Sequence, residues 1–525
     1  MHPRLILLLF LIPFFPDMAL SNNIRTSNVG SENKNTTSDF VFIRFDLNWE
    51  NSWRTSSAPS NWDAAWVFVK FRIGTGPWKH ASLYDSGNSA GTGTPAKVQV
   101  GLLDEASAFN ATTNPGIGAF FYRSADGSGP FAITGARLKW NYGADGVSDA
   151  SDVEVMLVAV EMVCVPSGSF YVGSGGNESA SFTKANSTTG NTVPFEITAG
   201  PITLQGNDAA SSASNLSARS GGWDLTGTNT AVIPSAYPTG YAGFYCMKYE
   251  ISQQQYVDFL NTLTATQKSA RYSGSSSNRN GISSSGGVYS TTLPNVARNF
   301  MTWPDGAAYS DWSCLRPMTE LEFEKACRGS ASPVASEYAW GTAAITANKY
   351  LLTNAGMPDE NITAATFSTT DGNGITGENT SSSSPFQGNL NGPLRVGIFA
   401  GNPLNASRVT SGASYYGILE LSGNLYELCV SLGMSSGSTS LGIGRNFTGL
   451  HGNGSLASAG TADVANWPAN TVSAGSGIIF RGGHWNNYAT FLRVSDRAQA
   501  YGSNPGAFRH AGYRAVRSLP ASAAE

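Results

Sequence analysis

Charged side chains are scarce in this sequence. Asp, Glu, Lys and Arg make up 13% of its 525 residues, whereas ~25% is usual for globular proteins. The net charge is −4, and no lysine follows Lys349. Because a protein that binds nucleic acid needs a basic face to neutralise phosphates, the sequence predicts no nucleic-acid partner.

Long apolar runs are missing as well. The run at residues 5–15 follows His2 and Arg4 and is too short to cross a bilayer, which takes ~20 apolar residues. The small residues Ala19 and Ser21 then offer a cleavage site, so residues 1–21 are typical of a signal peptide. The sequence therefore predicts export to a secreted or cell-surface location, and a membrane anchor is the alternative.

Closely spaced cysteine pairs are absent. The five cysteines, Cys164, Cys246, Cys314, Cys327 and Cys429, contain no CxxC pair. Neither a disulfide framework nor a thiolate metal site is therefore indicated. We expect most of these side chains to be buried as small apolar groups.

Short β-branched and aromatic runs, separated by turn residues, are abundant in the first part of the chain. They fill residues 39–160, and their spacing predicts an antiparallel β-sandwich. The polar residues 22–38 have no hydrophobic period and predict a flexible leader. Residues 520–525 are expected to form a short tail.

The second part of the chain mixes helix signals with long polar stretches. Helices are predicted over residues 252–263, 304–312 and 319–327, with Ser252 as an N-cap and with Thr319 and Glu322 as a capping box. Stretches rich in Ser, Gly, Thr and Asn are too long for ordinary connectors and predict surface insertions. They lie at residues 174–230, 272–290, 365–392 and 432–475. The expected fold class is α+β.

Seven motifs of the second part occur in a fixed order. They are residues 165–170 (VPSGSF), 249–252 (YEIS), 315–329 (LRPMTELEFEKACRG), 338–341 (YAWG), 417–427 (GILELSGNLYE), 480–485 (FRGGHW) and 512–514 (GYR). In this order they resemble the formylglycine-generating, sulfatase-modifying protein family. The resemblance covers residues 161–519 and implies that family's variant of the C-type lectin fold, with long loops, after the β-sandwich of residues 39–160.

The resemblance does not extend to the family's catalytic groups. Its oxidase members bind copper through two cysteines just after the Arg-Gly-Gly motif, but residues 486–493 read NNYATFLR and contain none. Its sulfoxide-synthase branch uses histidine-bound iron, and the five histidines of this chain have no helical ligand spacing. We expect no copper, no iron and no enzyme activity; a formylglycine-generating-type oxidase is the disfavoured alternative.

A structural calcium ion is implied by the same resemblance. The family supplies calcium ligands from side chains at the positions of Glu420 and Glu427, and from backbone carbonyls at those of Gly423 and Leu425. Such oxygen ligands suit a hard cation. The family usually has Asn where Glu420 stands, and a turn with two solvated carboxylates is the alternative.

Residues 484–513 draw on a restricted set of amino acids. They contain many aromatic, Asn, Ser, Ala and Gly residues but no Lys, Glu, Ile, Met or Cys. Randomising the adenines of Asn codons yields such a set. The segment therefore resembles the variable region of retroelement-diversified binding proteins, which lies near the C-terminus of a C-type-lectin-like domain. A loop that drifted after the loss of catalysis is the alternative.

The sequence thus predicts an exported, non-catalytic protein that binds a protein or glycan ligand on an extracellular surface. Tyr, Phe and His offer rigid contact area while Ser, Asn and Gly adapt, as in antibody loops. The candidate ligand-binding residues are His484, Asn486, Asn487, Tyr488, Thr490, Phe491, Ser495, Asp496, Tyr501, Ser503, Asn504, Phe508, His510 and Tyr513. Their aromatic side chains are expected to converge on one exposed surface. A self-assembling extracellular subunit is the alternative.

Overall fold

A computed structural model describes most of the chain. The described residues are 24–185, 192–206, 211–219, 224–272, 274–377, 391–401, 407–433, 443–468, 477–501 and 508–520, without the side chains of residues 364, 443, 500 and 501. The expected signal peptide (1–21), Ser503, Asn504 and residues 521–525 of the expected tail lie outside these ranges. No helix within them is long and apolar enough to span a membrane.

The described chain is mostly β-structure with four helices, in agreement with the α+β class. The first nine strands are β1 (Arg25–Asn35), β2 (Phe40–Arg54), β3 (Asp63–Ile73), β4 (Lys79–His80), β5 (Thr92–Gly93), β6 (Ala96–Leu102), β7 (Gly116–Arg123), β8 (Gly127–Trp140) and β9 (Val153–Val165). The helices are α1 (Gln253–Thr262), α2 (Ala265–Arg271), α3 (Trp303–Trp312) and α4 (Glu320–Arg328).

Sixteen shorter strands follow in the described residues. They are β10 (Phe170–Val172), β11 (Phe182–Lys184), β12 (Phe195–Ile197), β13 (Thr203–Gln205), β14 (Leu216–Ala218), β15 (Thr230–Val232), β16 (Phe244–Met247), β17 (Ile282–Ser285), β18 (Val288–Thr291), β19 (Arg316–Pro317), β20 (Leu352–Thr353), β21 (Asn361–Ile362), β22 (Tyr426–Val430), β23 (Ile478–Arg481), β24 (Ala511–Gly512) and β25 (Ala515–Ser518). Several fall in the expected surface insertions: β11, β13, β14 and β15 form one sheet, and β17 and β18 form a hairpin.

Two antiparallel sheets organise the first part of the chain. One has the order β1-β2-β8-β5, and the other has the order β19-β25-β16-β9-β3-β7-β6, with β4 beside β3. Side chains of β2 and β8 meet those of β3 and β7 in one buried cluster. β2 alternates buried and less buried residues, whereas every residue of β3 from Asp63 to Phe71 is buried. β3 therefore lies in the interior of the molecule, with both faces covered.

The expected domain boundary at residues 160 and 161 lies inside a strand. β9 pairs with β3 of the first part and with β16 of the second. Side-chain contacts also cross the boundary: the Trp66 indole donates to the Ser313 carbonyl at 2.9 Å, and the Lys70 ammonium donates to the Trp312 carbonyl at 2.6 Å. The two parts of the chain thus share one sheet and one core.

The expectation of a flexible leader is wrong for residues 25–35, because they form β1. β1 pairs antiparallel with β2, and its side chains are exposed or half-buried. Pairing satisfies backbone donors and acceptors whatever the side chains are. A polar edge strand of this kind needs no alternation of apolar residues. The hydrophobic pattern of the sequence therefore could not predict β1.

Each of the four helices begins with a reciprocal capping box. The N-caps are Ser252, Thr264, Thr302 and Thr319. The helices predicted from sequence correspond to α1, α3 and α4, and the predicted roles of Ser252 and Thr319 are confirmed. α2 was missed because its seven residues, ATQKSAR, have no apolar face.

Candidate functional site

The candidate site is built on a small sheet. β22 pairs antiparallel with β23 and parallel with β24. β23 ends at Arg481, and residues 482–492, which we call the RGG loop, follow it. The loop therefore starts at a strand end in the core.

Buried ion pairs hold both flanks of the RGG loop to α4. Arg481 donates to Glu320 at 3.0 Å and to Glu324 at 2.8 Å, and Arg497 donates to Glu320 at 2.7 Å. Burial acts to raise the pKa of Glu320, but the guanidinium groups of Arg497 and Arg481 lower it below its usual value. Such charge-assisted bonds in a dry interior fix the geometry of the groups that they join.

Two glycines turn the chain out of β23. Gly482 has φ +81° and Gly483 has φ +70°, in the left-handed region that favours glycine. A Cβ on Gly482 would lie 2.7 Å from the Leu421 carbonyl oxygen, and one on Gly483 would lie 2.5 Å from Leu492 Cδ1. The Arg-Gly-Gly motif is therefore required by backbone conformation and by close packing.

The backbone of the RGG loop is fixed to its surroundings. The Trp485 N–H donates to the Asn424 carbonyl at 2.8 Å, and the Trp485 side chain is buried. The Asn487 carbonyl accepts from Thr376 Oγ1 and from the Gly377 N–H, both at 2.7 Å. The contacts from Thr376 and Gly377 had no signal in the sequence, since they lie more than a hundred residues upstream.

Tyr488 projects from this fixed backbone into solvent. It is 66% exposed, and it precedes a 3-10 turn, Ala489–Leu492, in which Ala489 and Leu492 are buried. Thr490 is exposed as well, and Phe491 is half-buried. One side of the turn thus packs inward while the other presents Tyr488 and Thr490.

His484 and His510 form a buried stacked pair. Their ring centroids are 3.8 Å apart with an interplanar angle of 8°, and each side chain is only 5% exposed. His484 Nδ1 accepts from the Asn486 N–H at 3.0 Å. Burial, followed by the nearby His510 and Arg509, lowers the pKa of His484 to about 2; burial and Arg509 lower that of His510 to about 3. Both rings are therefore uncharged, and they support the RGG loop from its buried side.

Five of the candidate ligand-binding residues are buried, so the expectation that these residues can contact a ligand is wrong for them. His484, Ser495, Asp496, His510 and Tyr513 are buried. Tyr488 and Thr490 are exposed, and Asn486, Asn487, Phe491 and Phe508 are half-buried. Tyr501 lies at the end of a 3-10 turn, and its side chain is not among those described.

Specific hydrogen bonds and packing contacts explain why the candidate residues Ser495 and Tyr513 lie in the protein core. Ser495 donates to Glu324 at 3.2 Å and accepts from Arg328 at 2.9 Å. The Tyr513 hydroxyl accepts from Ser310 at 3.1 Å. The Tyr513 ring fits against α3 because residue 306 is glycine, where a Cβ would lie 2.1 Å from the ring. Sequence composition cannot reveal such complementary gaps.

The predicted calcium segment places two acidic side chains in the interior. Glu420 Oε1 accepts from the Gly397 N–H at 2.8 Å, and Glu427 Oε1 accepts from Arg514 at 2.7 Å. The second oxygen of each carboxylate is buried without a hydrogen-bond partner. A third carboxylate, which sequence reasoning missed, is Glu250 of the YEIS motif; it accepts from the Leu425 N–H at 2.8 Å.

Close packing of three carboxyl groups shifts their protonation. Burial, and then the charges of Glu427 and Glu420, raise the pKa of Glu250 well above its usual value. Burial raises the pKa of Glu420 to about 7 and also raises that of Glu427, although Arg514 lowers both. These carboxyl groups therefore tend to keep their protons near neutral pH, and ionising all three would place more negative charge in the interior than Arg514 compensates.

Comparison with known families identifies most of the second part of the chain, from residue 209 onward. Residues 209–519, more than half of the sequence, match the sulfatase-modifying factor enzyme 1-like domain. The chain belongs to this sulfatase-modifying factor family. The matched stretch contains all four helices, the RGG loop and the carboxylate cluster. The comparison with curated proteins finds no match.

Copper of the kind used by oxidase members of the sulfatase-modifying factor family does not fit the residues here. All five cysteines are buried and unpaired, and none lies in the RGG loop. Burial raises the pKa of Cys246 and Cys314 to about 12, which keeps them as thiols, whereas copper takes thiolates. His484 Nδ1 already accepts from the Asn486 N–H and His510 Nε2 from Arg509, which leaves one nitrogen of each ring as a ligand.

The family's calcium ligands are only partly matched in geometry. The orphaned oxygens of Glu420 and Glu427 suit a hard cation once the carboxyl groups lose their protons. Among the described residues, however, no group of three or more His, Cys, Asp or Glu side chains is arranged to hold a metal ion. Glu427 is also engaged by Arg514.

Proposed function

We propose that this member of the sulfatase-modifying factor family is a non-catalytic binding protein. Its recognition surface lies in residues 484–513, and its ligand is a protein or glycan on an extracellular surface. The observation that carries the proposal is Tyr488, an aromatic side chain 66% exposed on a backbone fixed by buried partners. An exposed aromatic on a rigid support costs little ordering entropy when it binds, as in antibody loops.

The proposal includes the finer features expected from sequence. Residues 1–21 serve as a signal peptide, residues 39–160 form a β-sandwich, and the family domain has a C-type-lectin-like fold. If the surface is diversified by a retroelement, the varied positions are those that reach solvent, such as Asn486, Tyr488, Thr490 and Phe491. The buried His484 and Tyr513 would then stay constant, because each fills a defined space in the core.

A structural calcium ion is part of the same proposal. The side chains of Glu420 and Glu427 would hold it with the backbone carbonyls of Gly423 and Leu425, and it would take the place of the protons that burial favours on the two carboxyl groups. Its role would be to hold the segment beneath the RGG loop, since Trp485 donates to the carbonyl of Asn424. No chemical step is assigned to it.

Ligand capture tests the binding function. The full chain is screened on a glycan array and against a display library of extracellular protein fragments, and each hit is measured again with Tyr488→Ala. We expect a loss of ~2 kcal/mol, about 30-fold in affinity, because exposed aromatic anchors dominate interfaces. Val288→Ala, which truncates a comparably exposed side chain on β18, is the matched control and should bind normally.

Two results would contradict the proposal. One is an equal loss of ligand affinity in Tyr488→Ala and Val288→Ala. The ligand would then bind elsewhere on the protein, or its contact would be nonspecific. The other is copper-dependent conversion of a sulfatase-derived cysteine peptide to an aldehyde by the purified chain. That conversion would make the protein an oxidase.

A further inference from the structure

The outer side of β9 is covered by a neighbouring strand along only part of its length. β3 pairs with β9 over eleven residues, whereas β16 pairs with only the last four residues of β9. In the part of the chain that the structure describes, residues 153–160 therefore have β3 on one side and no strand on the other. We call this stretch the open edge.

Half of the residues in the open edge point their backbone groups outward. The orientation alternates along a strand, and the carbonyl of Glu161 faces the outer side, since it accepts from the Lys248 N–H at 3.0 Å. The odd-numbered residues before it share this orientation. They are Val153, Val155, Leu157 and Ala159. No hydrogen bond to their outward N–H and C=O groups is found among the described residues.

The open edge is apolar and carries little net charge. Val153, Val155, Leu157 and Ala159 pack against the cluster between the two sheets, and Met156 and Val158 pack against the cluster on the other face. All are only half-buried. The one acidic side chain there, Glu154, forms an ion pair with Arg72 of β3. Apolar side chains and unpaired backbone groups together make a template for another strand.

Three other edge strands of the two large sheets, β1, β5 and β6, carry features that normally prevent pairing. β1 has polar side chains and two register shifts, β5 has two residues, and β6 has a register shift beside Gly101. Natural proteins use such bulges, short strands and polar residues to protect edges. The open edge has neither a bulge nor a proline. Its lack of protection indicates that a partner covers it.

β1, an edge strand of the other sheet, lies near β9. The Ile24 N–H lies against the Glu161 carboxylate at one end, and the Lys34 ammonium lies 3.3 Å from Asp149, just before β9, at the other. An apolar strip beside a polar strand has the anatomy of an interface core with a rim.

We propose that the open edge pairs, antiparallel and about a two-fold axis, with the open edge of a second copy of this chain. An axis through Met156 places Val153 opposite Ala159 and Val155 opposite Leu157, so every outward backbone group finds a partner. Glu154 then faces Val158 of the other copy, so like charges are not opposed. A two-fold interface must be self-complementary in this way.

The first test measures the mass of the full chain by light scattering, and its amide hydrogen exchange, over a series of concentrations. We expect a dimer in which the amides of Val155 and Leu157 exchange slowly, and we expect dilution to abolish that protection together with the dimer. A monomer at every concentration would overturn the proposal. So would protection that persists in the monomer, because a segment of the same chain would then cover the edge.

The second test does not depend on disrupting the fold. Met156→Cys places two thiols across the axis at a non-hydrogen-bonded pair, where Cα atoms are ~4.5 Å apart and a disulfide can form. The native cysteines are buried and should not interfere. Mild oxidation should yield a crosslinked dimer, and Ser284→Cys, exposed on β17, should not. No crosslink from Met156→Cys, or an equal yield from Ser284→Cys, would contradict this pairing.

Discussion

At the scale of single residues, the carboxyl groups of Glu420 and Glu427 have a consequence for pH dependence. Burial raises the pKa of Glu420 to about 7, above its ordinary value of 4.5. The protonated side chain therefore contributes stability that is fully present below its ordinary pKa and is lost as pH rises through about 7. A bound divalent cation would replace the lost proton.

We predict that calcium stabilises the protein more at about pH 8 than at about pH 6, because the carboxylates bind calcium only after they lose protons. The measurement is the melting temperature with excess calcium and with chelator at both pH values. Glu427→Gln should abolish most of the difference. A chelator effect that is absent at both pH values would refute the site.

The stacked histidines should make the folded protein less stable as pH falls, which is opposite to the effect of Glu420. The pKa of His484 is lowered to about 2 and that of His510 to about 3, from an ordinary value of 6.5. Below about pH 6.5 these histidines bind protons in the unfolded chain but not in the folded chain. The free energy of unfolding therefore decreases as pH falls towards the two lowered pKa values. We expect His510→Phe, which keeps an aromatic ring, to lose fewer degrees of melting temperature between about pH 7 and pH 5 than the natural chain. Equal losses would contradict this role.

At the scale of elements, the RGG loop contains, within four residues, one aromatic side chain that packs in the core and another that faces solvent. Trp485 is buried and Tyr488 is exposed. Trp485→Ala would leave a cavity and should lower the free energy of unfolding by about 3–5 kcal/mol, whereas Tyr488→Ala should change it by less than ~0.5 kcal/mol. Urea unfolding of the two variants measures this contrast. Similar losses from both would mean that Tyr488 is part of the core.

Local signals explain which elements could be predicted from the sequence. The capping residues and apolar face of α1 are contiguous in the chain, so the helix can be read directly. β1 is held by backbone pairing, and α2 is too polar and too short to show a period. The burial of Tyr513 depends on Gly306, two hundred residues away. Long-range complementarity of this kind leaves no mark on local composition.

At the scale of the whole molecule, the shared sheet makes the chain one unit of folding. Arg517 of β25 donates to the Cys314 carbonyl at 2.7 Å and to Glu105 of the first part at 2.5 Å. Together with β9, these contacts mean that neither part has a complete core alone. Cooperative unfolding follows from a continuous core.

We therefore predict that a chain starting at residue 161 fails to fold, even though it contains the whole family match, because it lacks β3 beside β9. A chain starting at residue 39, in which β1 is the only described strand that is removed, is the control and should fold. Calorimetry of the full chain should show one transition. Two separate transitions, or a stable fragment 161–525, would show that the parts are independent.

The passage of β9 through both parts of the chain also has a mechanical consequence. If the RGG loop held a target while the sheet of β1, β2, β8 and β5 were attached to a surface, the molecule would be under tension. When the pull runs along the strands, the eleven residue pairs between β3 and β9 carry the load together in shear. These residue pairs would not break one after another. The β3–β9 pairing that joins the two parts of the chain therefore resists force far better than a flexible linker.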